Sequence, residues 1–168
     1  MAGKESFDIT TGCDLQEVDN AVNQANKELG QRFDFRGVDY TLELKRGEEK
    51  LFLAAPDEYK LDAIWDVLHT KLIRREVPVK NFDRSDMQTS AGSSVRQDIP
   101  ITQSIPTDTA KKIVKFLKEK KLKKVQSSIQ KDQVRVTSPS RDSLQEVMSI
   151  LPQEDFGIEL NFGNFRSN

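Results

Sequence analysis

Residues 39–72, DYTLELKRGEEKLFLAAPDEYKLDAIWDVLHTKL, decide the fold class because the hydrophobic period changes partway through them. Tyr40, Leu42 and Leu44 alternate with polar neighbours, the two-residue repeat of a strand with one buried face. Arg46-Gly47-Glu48 supplies a turn and KLFLAA leads back, so residues 39–55 are expected to form a β-hairpin. After Pro56-Asp57 the spacing becomes three and four, placing Leu61, Ile64, Leu68 and Leu72 along one side of a helix.

Towards the N-terminus the pattern extends by one helix and one strand. Asp14 and Glu17 have the spacing of a capping box. Leu15, Val18, Val22, Ala25 and Leu29 then form an apolar stripe, with Gly30 placed to stop the helix. Before it, Phe7 and Ile9 alternate with Asp8 and Thr10 as a short strand.

Towards the C-terminus the same grammar repeats. VRQDIPIT reads as a strand, and Pro106-Thr107 opens a helix with Ala110, Ile113, Val114 and Leu117 inward. KVQSSIQKDQVRVTS reads as a hairpin turning near Lys131-Asp132, and Ser140 caps a helix bearing Leu144, Val147, Met148 and Leu151. IELNF supplies a last alternating strand. The expected fold is α+β, two ferredoxin-like βαββαβ units, each an antiparallel sheet with helices on one face. Residues 83–94, DRSDMQTSAGSS, lack periodicity and are expected to link units at 1–82 and 95–168. On this pattern the units can also exchange terminal strands.

Charge is distributed less evenly than structure. Residues 111–141 hold eleven Lys or Arg against Glu119 and Asp132, a local +9 in a chain whose sum is −1. Segregation of this kind points to a phosphate-bearing partner. Lys111, Lys115 and Lys118 share a helix face, with Lys112 alongside. With Val134 and Val136 inward, Arg135 and Thr137 are expected on the opposite sheet face, with Gln126 and Ser128. Two further segments combine aromatics with arginine. Arg32-Phe33-Asp34-Phe35-Arg36 offers guanidiniums for phosphate and rings for stacking, with a phenylalanine expected in the core. Asn164-Phe165-Arg166 offers the same pairing near the C-terminus.

Parts for catalysis are missing. His69 is the single histidine and lies within a helical pattern, Cys13 is the single cysteine, and no glycine-rich phosphate loop occurs. No cofactor or metal site is implied. One cysteine, no apolar leader at the start and no membrane-length run give the expectation of a cytoplasmic protein without membrane contact.

The segments SFDI, DLQEVDNAV, RFDFRG, KKIVKFLK, VRVTSPSRDSLQEVM and NFGNFR resemble the YajQ family of small bacterial nucleotide-binding proteins, nearly end to end. The resemblance implies two ferredoxin-like domains, no established catalysis, and binding of nucleotides or RNA, with some relatives sensing a cyclic dinucleotide. It carries over to Arg32, Phe33, Phe35 and Arg36, to Lys111, Lys112 and Lys115, and to Arg135, Thr137 and Arg141. It also covers Phe165 and Arg166 of the tail. Three departures stand out: Ser138-Pro139 where relatives have Gly-Lys, and Lys131 and Ser104-Ile105 where they have glycine. The strands KLFLAA and QVRVTS supply at most Phe52, so the aromatic pair of an RNA-recognition module is absent. The chain is therefore expected to be a non-enzymatic nucleotide- or nucleic-acid-binding protein, with RNA ahead of DNA. A cyclic dinucleotide receptor and an adaptor for an acidic protein partner are the alternatives.

Overall fold

Most helices begin where a short polar side chain takes up an otherwise orphaned backbone N–H. Asp14 accepts from Gln16 at the start of α1 (Leu15–Gln31), Asp57 from Lys60 at α2 (Glu58–Arg74), and Ser140 from Ser143 at α4 (Arg141–Ile150). The helix α3 (Thr107–Glu119) instead follows Pro106, whose fixed φ suits a helix entrance. These come from a computed structural model that describes residues 3–90 and 92–167. The strands are β1 (Glu5–Thr10), β2 (Thr41–Lys45), β3 (Lys50–Ala55), β4 (Met87–Thr89), β5 (Val95–Pro100), β6 (Gln126–Gln130), β7 (Gln133–Ser138) and β8 (Asn161–Ser167).

They form two antiparallel sheets, each with its own core. The first unit joins residues through Thr11 to those from Ser104 onward, with strand order β6-β7-β1-β8. Phe7 and Ile9 of β1 and Val134 and Val136 of β7 bury against Ile113 and Leu117 of α3 and Val147 of α4. The second unit is Gly12–Gln103, with order β2-β3-β5-β4. Leu51 and Leu53 of β3 and Ile99 of β5 share its core with Val22 and Leu29 of α1. Leu61, Ile64 and Leu68 of α2 belong to the same core. Full burial of such a side chain contributes about 1.5–3 kcal/mol.

The fold class matches the sequence reading, whereas the division of the chain differs from it. β1 does not join the hairpin that follows it but pairs with β7 and β8, and β5 pairs with β3 and β4. Residues 83–94 do not link two contiguous halves, since they contain β4, whose Gln88 lies opposite Arg96 of β5. Alternation reveals which face of a strand is buried and is silent on which strand lies beside it. Two element ends also shift. α1 runs through Gly30 to Gln31. The last strand starts at Asn161 rather than Ile158, because pairing with β1 begins at Thr10–Asn161, and Ile158 is buried just ahead of it.

Helices cover only one face of each sheet, so register defines what the other face presents. In the first unit one row is Gln126, Thr137, Ser6 and Arg166, and the next holds Ser128, Arg135, Asp8 and Gly163. In the second unit the rows are Thr41–Ala54–Arg96–Gln88, then Glu43–Phe52–Asp98, then Lys45–Lys50–Pro100.

Candidate functional site

The polar face of the first unit is organised around one carboxylate. Asp8 is 1% exposed although it points away from the apolar core, because neighbouring side chains close over it. It accepts from Arg135 Nε at 3.0 Å, Gln133 Nε2 at 3.3 Å, Asn164 Nδ2 at 2.5 Å and Arg166 Nη2 at 3.2 Å. Burial pushes its pKa up, but the bonds from Arg135 and Asn164 and the charges of Arg135 and Arg166 outweigh burial and hold it below the usual range. One acid against two guanidiniums leaves a local excess of positive charge. Each arginine commits one N–H to Asp8 and retains donors for another acceptor.

Asn164 can reach Asp8 because β8 is irregular there. Its φ is +55°, and the register of β8 against β1 slips between Ser6 and Asp8. Such a bulge re-aims side chains along an edge strand. Beyond the bulge, Phe165 lies beside Phe7, with ring centroids 5.9 Å apart, yet remains 62% exposed. Across from it, α4 contributes Arg141, Leu144 and Met148. Together they bound a cleft of about 290 Å³ with an apolar floor and Arg141 and Ser167 at its side. Ser6 and Arg166 of the sheet edge also line it, while the Arg166 guanidinium reaches Asp8 on the open face. Arg141 is held by a bidentate pair to Glu5, at 3.2 and 3.1 Å. That bond lowers the Glu5 pKa, against burial and helped by the Arg141 charge and the Ser167 hydroxyl.

The lysines of α3 behave differently. Lys111, Lys112 and Lys115 are exposed, and none forms an ion pair among the described residues. Lys112 and Lys115 border a shallow depression of about 540 Å³ beside Phe116 and Phe156, where Glu119, Glu154 and Asp155 temper the positive charge. Lys118 and Lys121 border another with the start of β6, which no acid lines.

The RFDFR segment belongs to the second unit. Phe35 is buried, as expected of one aromatic, and meets Tyr40 edge-on at 5.3 Å. Phe33 is 82% exposed, with the Arg36 guanidinium 5.5 Å from its ring centre. Arg32 is bidentate to Asp34, at 2.9 and 2.8 Å, so this arginine already holds a carboxylate. Lys60 donates to the Asp34 carbonyl and lies 5.0 Å from the Phe35 ring centre.

The structure thus brings Arg141, Phe165 and Arg166 into one cleft and Arg135, Thr137 and Arg166 onto one face. Arg32, Phe33, Phe35 and Arg36 form a separate cluster. Sequence reasoning misses Asp8 and Glu5, whose arginine partners lie more than a hundred residues away. Alternation does place Asp8 opposite Phe7 and Ile9, which is the available signal. His69 packs beside Trp65, and burial together with Asp14 and Glu49 pushes the Cys13 thiol up to about 11, so it stays protonated at neutral pH. No helix among the described residues is long and apolar enough to cross a membrane.

Comparison with known proteins places the sequence among relatives over nearly its whole length. The model of a family described as nucleotide-binding protein YajQ-like matches residues 5–166. A nucleotide-binding protein of Koribacter versatilis is 47% identical over 163 residues, covering 97% of this chain and 98% of its own. One from Desulfitobacterium hafniense is 46% identical over 166 residues, with 99% and 100% covered. One from Bacillus cereus is 45% identical over 166 residues, again with 99% and 100% covered.

Proposed function

This chain belongs to the YajQ-like family, and from that premise we propose that it binds nucleotides or single-stranded nucleic acid without catalysis, mainly through phosphate contacts. The observation that carries this reading is the cleft between α4 and β8, where Arg141, Phe165 and Arg166 converge from distant parts of the sequence. The Arg141 guanidinium lining the same cleft as the exposed Phe165 ring suits a phosphate next to a base, with Arg166 on the neighbouring open face. The Ser167 hydroxyl, beside Glu5 at the cleft, supplies a partner for a ribose 2′-OH, which favours RNA over DNA. The α3 lysines, without carboxylate partners, raise the local concentration of the anionic ligand. The relatives are named as nucleotide-binding proteins, in keeping with this assignment. A cytoplasmic setting follows from the ligand class.

Binding of a fluorescent oligoribonucleotide at several salt concentrations tests the reading. If about five phosphates are neutralised, log affinity falls with log salt at a slope of roughly −3.5. Phe165→Ala weakens binding about tenfold, the loss expected for one stacked base. A flat salt response and an indifferent Phe165→Ala variant would overturn the proposal.

A further inference from the structure

The open face of the second sheet holds an aromatic that the core does not use. Phe52 lies on β3 between Leu51 and Leu53, both fully buried, and so projects to the side without helices. It is half-buried there and takes no part in the apolar core. The Lys45 ammonium stands 4.9 Å from its ring centre, and Lys45 belongs to the row on one side of Phe52. On the other side is the row Thr41–Ala54–Arg96, and there a groove of about 380 Å³ opens. Its size falls within the span of roughly 300–1,000 Å³ typical of small-molecule sites.

The lining has the chemistry of a nucleotide rather than of a plain apolar ligand. Phe52, Ala54 and Pro56 make an apolar floor, and the small Ala54 leaves the strand surface accessible beside the ring. Thr41 and Ser94 place hydroxyls at the rim, while Asp39 offers an acceptor for an amino or ribose hydroxyl group. Arg96 supplies the cation. Its Nε donates to Gln88 Oε1 at 3.0 Å, which fixes the guanidinium plane while its other N–H groups remain as donors. Unlike Arg135, Arg141 and Arg166, it has no ion pair among the described residues. An acidic rim at Asp39 also steers a phosphate towards Arg96 rather than towards the opposite wall.

We propose that this groove is a second nucleotide site, in which Phe52 stacks a base and Arg96 holds the attached phosphate. It rests on the reading that the chain binds nucleotides, but on different residues in the other unit. The same chemistry is offered by a free mononucleotide and by one residue of a strand, so both are tested.

Adenosine 5′-monophosphate, ribose 5-phosphate and a short single-stranded oligoadenylate are titrated into the ¹⁵N-labelled full chain. The monophosphate is expected to shift the amides of Thr41, Ala54 and Arg96, with ribose 5-phosphate far weaker because it lacks a base. Phe52→Leu, which keeps an apolar strand residue, and Arg96→Gln should each weaken that response about tenfold while leaving shifts at Gln145 and Ser167 intact. If only the oligoadenylate moves the groove amides, the occupant is a nucleotide within a strand, and the site stands. If groove amides stay still while Gln145 and Ser167 respond, the second site is wrong and the α4–β8 cleft survives. If neither set responds to any probe, the nucleotide reading itself falls.

Discussion

Asp8 holds Arg135 and Arg166 in place, and its ionisation links the polar face to stability. Its carboxyl titrates below the ordinary aspartate value of about 3.9 in the folded state, whereas the unfolded chain keeps that ordinary value. Above about pH 5 both states are ionised and the stabilisation is complete. On acidification the unfolded chain takes the proton first, so stability falls as pH drops through the folded value. Asp8→Asn removes that dependence and leaves two partly exposed guanidiniums without their carboxylate, costing about 1.5–3 kcal/mol at neutral pH. Chemical denaturation from pH 7 to pH 3 checks both: the variant is expected to start lower and show a shallower acid limb. Glu5 acts on binding instead. It occupies the Arg141 guanidinium that a phosphate would use, so Glu5→Gln is expected to tighten nucleotide binding about two- to fivefold, the worth of one exposed ion pair. Unchanged or weaker binding by calorimetry would show that Arg141 does not meet the ligand.

At the scale of elements, α3 carries its charge legibly and the hairpin after it does not. The spacing of Lys111, Lys115 and Lys118 is enough to put them on one helix face, since periodicity depends only on local geometry. Replacing all three by Gln should reduce the salt slope of oligonucleotide binding by about 2, with the helical circular dichroism retained. An unaltered slope would separate the lysine stripe from binding. Lys131 is a different case. In the turn between β6 and β7 its φ is +54°, a left-handed conformation that costs an L-residue with a β-carbon about 1–2 kcal/mol. It stands where the family resemblance implies glycine. Lys131→Gly is therefore expected to stabilise the chain by about 0.5–1 kcal/mol after allowing for the greater freedom of unfolded glycine. A lower midpoint in urea would mean that the Lys131 side chain contributes contacts worth more than the strain. Elements without a period escape the sequence reading altogether. β4 is three exposed residues on an edge, Met87, Gln88 and Thr89, with no apolar alternation to betray it. The bulge at Asn164 likewise depends on β1 lying alongside, and nothing local in NFGNFR demands that partner.

For the whole molecule, the helices and most strands are legible in the sequence while their assignment to sheets is not. Turn residues, caps and alternation are written within a few neighbours, whereas pairing β1 with β7 joins Phe7 to Val136 across nearly the full chain. The consequence is testable by cutting the chain. Residues 12–103 contain every strand of the second sheet, both helices packed on it and its entire apolar core. That fragment is expected to fold alone, with dispersed amide resonances and a single cooperative melt. Residues 1–82, the contiguous half suggested by the sequence, lack β5, which lies between β3 and β4. Without it, the N–H and C=O groups along β3 lose their partners, and β1 brings Phe7 and Ile9 with no sheet to cover them. An open strand edge beside uncovered apolar residues favours association over folding. The shorter fragment should therefore melt without cooperativity or aggregate, and a cooperative 1–82 fragment matching 12–103 in stability would overturn the assignment of β5 to the second sheet.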